Sequence, residues 1–283
     1  MEDFMTGAKR VPVPEGSESK SYYKYYNREL LPIPDEKIEI LNDPIGKPEE
    51  YMPIEDMNKL FDPGYLPGEI GIFYAPDGKV GVSNFTKMPG VTGEMAEWWF
   101  AWHGGEPLRY AIWDPLDHYG LELEPEDYVK IFDPSIPVAE KTRGVLHHVT
   151  ESLVAGQDPV KCDLAFTDPA EFGMPVDKIH TDACSFVLCA NVTIFTPEGM
   201  PNIPLVCVHF FRDTEDGCEL RSRYWFGYQM KDGKPEYLLP DDPAAVPPLE
   251  VITDLEQHNF FEYTNLAAIL ANVYSEEKDN WKP

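Results

Sequence analysis

One long stretch near the C-terminal end, residues 249–277, contains neither proline nor glycine and directly follows a proline-rich segment at 240–248. Apolar residues recur in it at helical spacing, namely Ile252, Leu255, Phe261, Leu266, Ile269, Leu270 and Val273. This pattern predicts a single long helix with one apolar face that has to be buried. The helix is therefore expected to close the structure that the preceding segments form.

Runs of β-branched and aromatic residues precede this helix and predict a sheet. Strands are expected at 69–75, 80–88, 109–114, 144–154, 185–195, 205–213 and 218–230, and a short helix at 94–103. The turn sequence at 76–78 joins the first two strands as a hairpin, and turns at 196–199 and 214–217 join the last three as a meander. The fold class is therefore α+β, a curved antiparallel sheet wrapped on a long C-terminal helix.

The first 66 residues contain too many prolines for long helices. Their tyrosines at 22, 23, 25 and 26 form an apolar patch that has to pack on the main body or on a second subunit. We predict an N-terminal arm or small subdomain over residues 1–66 that mediates dimerisation, and a larger domain over 67–283.

The charge balance excludes several classes of partner. Twenty-three basic and fifty acidic residues leave a formal charge of -27, which repels nucleic acid and anionic lipid. The chain has no apolar run long enough for a transmembrane helix and no basic leader at Met1–Met5. Its five cysteines (162, 184, 189, 207 and 218) are odd in number and include no C-x-x-C pair. A disulfide framework is therefore not expected, and a cytoplasmic location is.

The long helix carries the first candidate for chemistry. His258 and Glu262 are four residues apart and so share one helix face. An imidazole and a carboxylate in this arrangement can bind one divalent metal such as zinc. The alternative is a solvated pair, although the apolar neighbours Leu255, Phe260 and Phe261 argue for burial and hence for a partner.

Strand parity predicts two further sets of neighbouring side chains. His209 shares a face with Cys207 and Phe211, and Tyr224 projects from the next strand, so both can face one cavity and bond a phenolic or carbonyl substrate. A core histidine satisfied by its neighbours is the alternative for His209. His147 and Glu151 share one face of their own strand, with His148 on the opposite face, which leaves His147 as a rival metal ligand.

Common catalytic motifs are missing. The sequence contains no G-x-S-x-G elbow, P-loop, H-E-x-x-H or G-x-G-x-x-G. Serine hydrolases, nucleotide hydrolases, zincins and dinucleotide enzymes are therefore disfavoured.

Several segments together resemble a small family of carbon–carbon hydrolases, the phloretin hydrolases and 2,4-diacetylphloroglucinol hydrolases. They are the Trp98-Trp99 helix, residues 107–118, the strand with Glu151, the strands with His209 and Tyr224, and His258-x-x-x-Glu262. The resemblance covers roughly residues 67–275. It rests on the order and spacing of these segments, since no single motif is specific.

The resemblance implies a Bet v 1-like, helix-grip catalytic domain with an N-terminal part that contributes to a homodimer. It also implies one zinc ion per chain, held by His118, Glu151, His258 and Glu262. Tyr110, His209 and Tyr224 match the family's substrate-contacting residues, and they are our candidates for catalysis and substrate binding.

The implied activity is cleavage of the bond between an acyl group and a phloroglucinol-type ring of a small polyphenolic ketone, as in flavonoid degradation. The resemblance implies that the diacetylphloroglucinol hydrolases have a polar amide shortly after the first histidine ligand, whereas this chain has Leu121 in that neighbourhood. Phloretin is therefore the favoured substrate here. The alternatives are 2,4-diacetylphloroglucinol itself and a non-catalytic helix-grip carrier of a hydrophobic ligand. Stoichiometric bound metal would separate an enzyme from a carrier.

Overall fold

A computed structural model describes residues 7–240 and 245–282. The strands are β1 (Gly71–Tyr74), β2 (Val80–Pro89), β3 (His118–Leu123), β4 (Leu146–Glu151), β5 (Val160–Thr167), β6 (Phe186–Phe195), β7 (Ile203–Thr214), β8 (Gly217–Phe226), β9 (Tyr228–Lys231) and β10 (Lys234–Tyr237). The α-helices are α1 (Tyr23–Tyr26), α2 (Asp35–Asn42), α3 (Gly93–Trp102), α4 (Pro107–Ala111), α5 (Pro125–Phe132), α6 (Val138–Lys141) and α7 (Leu249–Glu277). Short 3-10 helices lie at Ser17–Ser19, Pro48–Glu50, Ile54–Phe61, His103–Gly105 and Val176–Lys178.

Strands β1 to β8 form one antiparallel sheet in the order β1-β2-β8-β7-β6-β5-β4-β3. The predicted hairpin is confirmed as the β1–β2 pair, and the predicted meander as the β6–β7 and β7–β8 pairs. The predicted C-terminal helix is confirmed as α7 and the predicted short helix as α3. The α+β architecture expected from the sequence is therefore present.

Successive side chains of a strand point to opposite sides of the sheet. In the central strands both of these sides are buried. In β7, Cys207 and Phe211 belong to the cluster that includes the apolar face of α7. Val208 and Phe210 belong to a second cluster on the other face, which the 3-10 helix Ile54–Phe61 covers. The N-terminal region therefore completes the core that the sheet alone leaves open.

The N-terminal tyrosines pack on the main body of the same chain. Tyr22, Tyr25 and Tyr26 are buried within the large cluster beneath α7. The Tyr22 ring contacts that of Trp102 edge-on, with 5.1 Å between the ring centroids. The Tyr25 hydroxyl donates to Glu276 at the end of α7 (3.0 Å). Burial of these rings therefore needs no second subunit.

The predicted strand at 109–114 is wrong. Residues 107–111 form α4 because Pro107, at the first helical position, has its φ already set for a helix and loses no needed hydrogen bond. Strands β3 and β5 went unpredicted. In β5 the apolar residues alternate at Val160, Cys162, Leu164 and Phe166, a period-two signal that could have found it.

Among the described residues, no helix combines the length and apolar character that crossing a membrane requires. All five cysteines are buried free thiols.

Replacing Glu69 with glutamine is expected to lower the free energy of unfolding by about 3–5 kcal/mol, since the change leaves buried guanidinium groups without their counter-charge. Glu69 accepts from Arg221 (3.0 and 2.5 Å) and Arg223 (2.6 Å), which are 0% and 2% exposed. Burial raises the pKa of Glu69, but these arginines outweigh it and hold the pKa below its usual range. The stabilisation is therefore lost when the pH falls through that lowered pKa.

Urea denaturation measures the loss, and Asp56→Asn is the control because Asp56 pairs with Lys59 on the surface (2.8 Å). The control is expected to cost less than about 1 kcal/mol. Equal destabilisation by the two substitutions would contradict the prediction.

Candidate metal centre and cavity

A cavity lies between α7 and the sheet and is lined by residues of both. Most of its wall is apolar, with Val149, Leu164, Leu188, Val192 and Leu205 among the lining residues. The polar side chains on the wall are His103, Tyr110, His147, Glu151, His209, Tyr224, His258, Glu262 and Tyr263. An apolar enclosure with few polar groups is typical of a small-molecule site.

Two histidines and a carboxylate meet at one side of this cavity. His118 is the first residue of β3, and His258 and Glu262 lie one turn apart on α7. Glu262 Oε2 is 3.7 Å from His118 Nε2 and 4.0 Å from His258 Nε2. All three side chains are buried, so three of the four residues predicted as ligands do lie together.

Asp114 is a further candidate ligand that the sequence analysis missed. One ligand atom from each of Asp114, His118 and His258 lies within 4.8 Å of the other two. Asp114 Oδ1 accepts the backbone amides of Leu116 (3.0 Å) and Asp117 (3.2 Å), whereas its buried Oδ2 has no partner. The sequence feature that could have indicated Asp114 as a ligand is its position four residues before His118.

The donor set fits a divalent cation. His118 Nδ1 is 3.2 Å from the Tyr110 carbonyl oxygen, which can only accept, so Nδ1 carries the proton and Nε2 a free lone pair. That buried Nε2 has no hydrogen-bond partner and faces Glu262. Burial, reinforced by the charge of Glu151, raises the pKa of Glu262. A cation between these groups would satisfy the lone pair and the carboxylate together.

Glu151 lies beside this cluster, on the strand next to β3. It is paired in register with His118, it lines the cavity, and its Oε2 accepts the Tyr110 hydroxyl (2.5 Å). His147 is paired with Leu123. It lies four residues before Glu151 on β4, which separates the two residues by about 13 Å at the usual rise of a strand. The expected shared face of His147 and Glu151 is confirmed, since both line the cavity. The distance along β4 favours Glu151 over His147 as a ligand.

Tyr110 holds His118 in place. Its ring stacks on that of His118, with 3.9 Å between the centroids and an interplanar angle of 3°. Burial, together with the charge of Glu151, raises the pKa of Tyr110 well above its ordinary value. Tyr110 is therefore a neutral phenol that contacts both a histidine and a carboxylate of the candidate centre.

His209 and Tyr224 project into the cavity from neighbouring strands, with 5.8 Å between the ring centroids. His209 Nδ1 is 2.8 Å from Ser222 Oγ, and Nε2 is 3.1 Å from the hydroxyl of Tyr263, a residue the sequence analysis did not single out. Burial lowers the pKa of His209 to about 3. A partner at each ring nitrogen fits the alternative of a core histidine satisfied by its neighbours, and His209 also reaches the cavity, as the expected contact with substrate requires.

A sheet wrapped on a C-terminal helix, with buried histidines and carboxylates beside a largely apolar cavity, defines this chain as an α+β protein with a candidate metal centre. Residues 52–275 match the family described as DAPG hydrolase PhiG domain, and the chain belongs to that family.

Two curated relatives are similar over most of their length. A phloretin hydrolase of Eubacterium ramulus is 40% identical over 290 residues, which cover 99% of each chain. A 2,4-diacetylphloroglucinol hydrolase of Pseudomonas protegens is 26% identical over 267 residues, which cover 91% of this chain and 85% of that one.

Two solved structures resemble the chain more distantly. Ara h 8.0201 covers 69% of this chain and 99% of its own, with a TM-score of 0.41 and 10% identity. A protein from Chromobacterium violaceum covers 68% of this chain and 97% of its own, with a TM-score of 0.37 and 11% identity. At these scores, the description of the architecture rests on the strand order of the chain itself.

Proposed function

We propose that this protein is a hydrolase that cleaves the carbon–carbon bond between an acyl group and a phloroglucinol-type ring, with phloretin as the favoured substrate. Water and phloretin would yield phloroglucinol and 3-(4-hydroxyphenyl)propanoate. The observation that carries the proposal is the histidine–carboxylate cluster beside an apolar cavity. The 40% identity to a phloretin hydrolase over 99% of the chain supports the choice of substrate.

We propose zinc as the metal, with His118, Glu151, His258 and Glu262 as its ligands and Asp114 as the rival carboxylate. Imidazole nitrogen and carboxylate oxygen are ligands that zinc accepts. When bound, zinc supplies a Lewis acid that activates water and polarises the acyl oxygen.

The remaining polar groups of the cavity suit a phenolic ring. Cleavage leaves the pair of bonding electrons on a ring carbon, which has to be protonated as the bond breaks. Tyr110 and Tyr224 are neutral phenols at the cavity wall, since burial raises the pKa of each well above its ordinary value. Tyr224 can donate to an oxygen of the ring and stabilise negative charge that develops there. Tyr110, whose proton goes to Glu151, can accept from a hydroxyl of the ring. His209 holds Tyr263 against the same wall.

Leu121 was the reason for preferring phloretin to 2,4-diacetylphloroglucinol. It is buried but does not line the cavity, so the preference depends on the more similar relative instead. The lining residues Val149, Leu164 and Leu188 provide an apolar wall suited to the phenylpropanoyl chain of phloretin.

Incubating the purified protein separately with phloretin and with 2,4-diacetylphloroglucinol, and quantifying phloroglucinol-type products and free acid by chromatography, tests the proposal. Faster release from phloretin is expected. Faster release from diacetylphloroglucinol would reverse the substrate assignment. Tight binding of either ketone without cleavage, in a protein that retains no metal, would identify a carrier instead.

A homodimer and a cytoplasmic location stay predictions. Because the N-terminal tyrosines are buried within one chain, their burial no longer argues for a second subunit. Light scattering coupled to size-exclusion chromatography measures the oligomeric state, and a monomer at micromolar concentration would contradict the dimer.

A further inference from the structure

A chain of buried hydrogen bonds runs from helix α2 to the cavity. Lys37 Nζ lies 3.1 Å from Asn84 Oδ1 and 2.7 Å from Thr86 Oγ1. Asn84, on β2, donates through Nδ2 to Asn259 Oδ1 on α7. Asn259 Nδ2 in turn donates to the Tyr224 hydroxyl oxygen and to Glu262 Oε1 (3.1 Å). Lys37 is 6% exposed, Asn84 0% and Asn259 1%.

The lysine determines the direction of every bond in this chain. A lysine ammonium has donors only, so Asn84 has to turn its carbonyl oxygen towards Lys37. The amide nitrogen of Asn84 then faces Asn259, which has to accept this hydrogen bond with its own carbonyl oxygen. The amide nitrogen of Asn259 is thereby left to point at Tyr224 and Glu262.

The charged lysine, which has no lone pair, requires this direction, and the neutral amine remains compatible with it. Burial lowers the pKa of Lys37 to about 7, while the charges of Glu36 and Glu256 oppose that shift. A neutral amine still has two hydrogens for its two oxygen acceptors, Asn84 Oδ1 and Thr86 Oγ1.

Two consequences follow at the cavity. The Tyr224 oxygen accepts from Asn259, so the hydroxyl proton of Tyr224 is free for another acceptor. The acceptor beside it within the protein is the sulfur of Cys207, which is a weak hydrogen-bond acceptor. Glu262 Oε1 is occupied by Asn259, which leaves Oε2 as the atom that faces His118 and His258.

We propose that Lys37, Asn84 and Asn259 are positioning residues that make the Tyr224 hydroxyl a donor to a phenolic or carbonyl oxygen of the substrate. The inference rests on the proposed function, because it assigns a direction to one hydrogen bond of that reaction.

Asn84→Asp tests the direction with almost no change in shape. A carboxylate at position 84 still accepts from Lys37 but cannot donate to Asn259, so the Asn259 amide has to rotate. Its carbonyl oxygen then faces Tyr224 and takes the hydroxyl proton that the substrate would use. Turnover is expected to fall at least about 10-fold, since a buried substrate oxygen loses its donor. The melting temperature is expected to stay within a few degrees of the unsubstituted protein's, because the introduced carboxylate pairs with Lys37.

The double variant Asn84→Asp/Tyr224→Phe separates this role from a general structural one. If Asn84 acts through the Tyr224 hydroxyl, the double variant should turn over as fast as Tyr224→Phe alone. Multiplied losses, or an unaltered rate in Asn84→Asp, would overturn the inference. Asn191→Asp is the matched control, because Asn191 is a partly buried amide that bonds the backbone of Met230.

Calorimetric titration with phloroglucinol gives a readout that does not need cleavage. Asn84→Asp is expected to bind phloroglucinol at least about 10-fold more weakly than the unsubstituted protein, and equal affinity would overturn the inference. A protein without substitutions that neither cleaves the ketones nor binds phloroglucinol would instead contradict the proposed function. The two failures are therefore distinguishable.

Discussion

His258→Ala is expected to lose its bound metal and to turn over substrate at least about 1,000-fold more slowly than the unsubstituted protein. The substitution removes one of the two imidazoles that face Glu262 Oε2. A catalytic metal ion contributes several kcal/mol of transition-state stabilisation, and each 1.36 kcal/mol is about tenfold in rate. Elemental analysis of the untagged protein, paired with chromatographic assay of product, measures both effects.

His180→Ala is the control for this experiment, because His180 is an exposed histidine that pairs with Glu97 (3.2 Å) away from the cavity. It should retain both metal and turnover. Metal content that is unaltered in His258→Ala would refute the assignment of the centre.

The carboxylate ligands can be assigned by the same measurement. Glu151→Gln is expected to lose metal, since Glu151 lines the cavity beside His118. Metal that survives Glu151→Gln but is lost in Asp114→Asn would make Asp114 the ligand instead. Metal that is lost in His147→Ala but retained in Glu151→Gln and Asp114→Asn would favour His147, the rival ligand that strand parity left open.

Tyr224→Phe is expected to lower turnover by about 10²–10⁴ while leaving the metal content and the melting temperature unchanged. The substitution removes a single hydroxyl that faces the cavity, and a positioned proton donor or acceptor is typically worth that factor. Tyr224 is not a candidate ligand, so the metal should remain. Steady-state kinetics, elemental analysis and thermal melting of the same preparation measure the three properties.

Tyr228→Phe is the matched control, since Tyr228 lies in the cluster on the opposite face of the sheet. Its turnover should match that of the unsubstituted protein. A Tyr224→Phe variant that turns over at the full rate would remove this hydroxyl from the mechanism.

His209→Ala is expected to behave differently from Tyr224→Phe. Both ring nitrogens of His209 have partners in the protein, and burial lowers its pKa to about 3. Its removal leaves Ser222 and Tyr263 without their partner in a buried site. Turnover and melting temperature should therefore fall together, whereas a loss of turnover at an unchanged melting temperature would restore His209 as a proton donor or acceptor.

Local spacing was enough to predict the elements that carry most of the site. The four-residue step from His258 to Glu262 places both on one face of α7, and alternation along β7 and β8 turns His209 and Tyr224 to one side. Turn sequences between β6, β7 and β8 predicted which of these strands are neighbours. These features depend only on helix and strand periods, which a sequence displays directly.

Contacts between segments that lie far apart in the sequence could not be predicted from helix and strand periods. Tyr110 lies on a short helix where the residue pattern predicted a strand, and Asp114 joins the histidines only through the turn that follows it. The chain from Lys37 to Asn84 and Asn259 joins residues that are 47 and 175 positions apart. No pattern of spacing indicates which of many buried amides will meet.

The sequence by itself determined the long C-terminal helix, the antiparallel meander and the faces on which His258 and Glu262, and His209 and Tyr224, lie. Tertiary structure alone decided that the N-terminal tyrosines pack within the chain, that both nitrogens of His209 are occupied, and that Asn259 donates to Tyr224. The physical reason is that periodicity is set by the local backbone. Burial, and with it the pKa and the hydrogen-bond partner of a side chain, is set by whatever the folded chain places beside it.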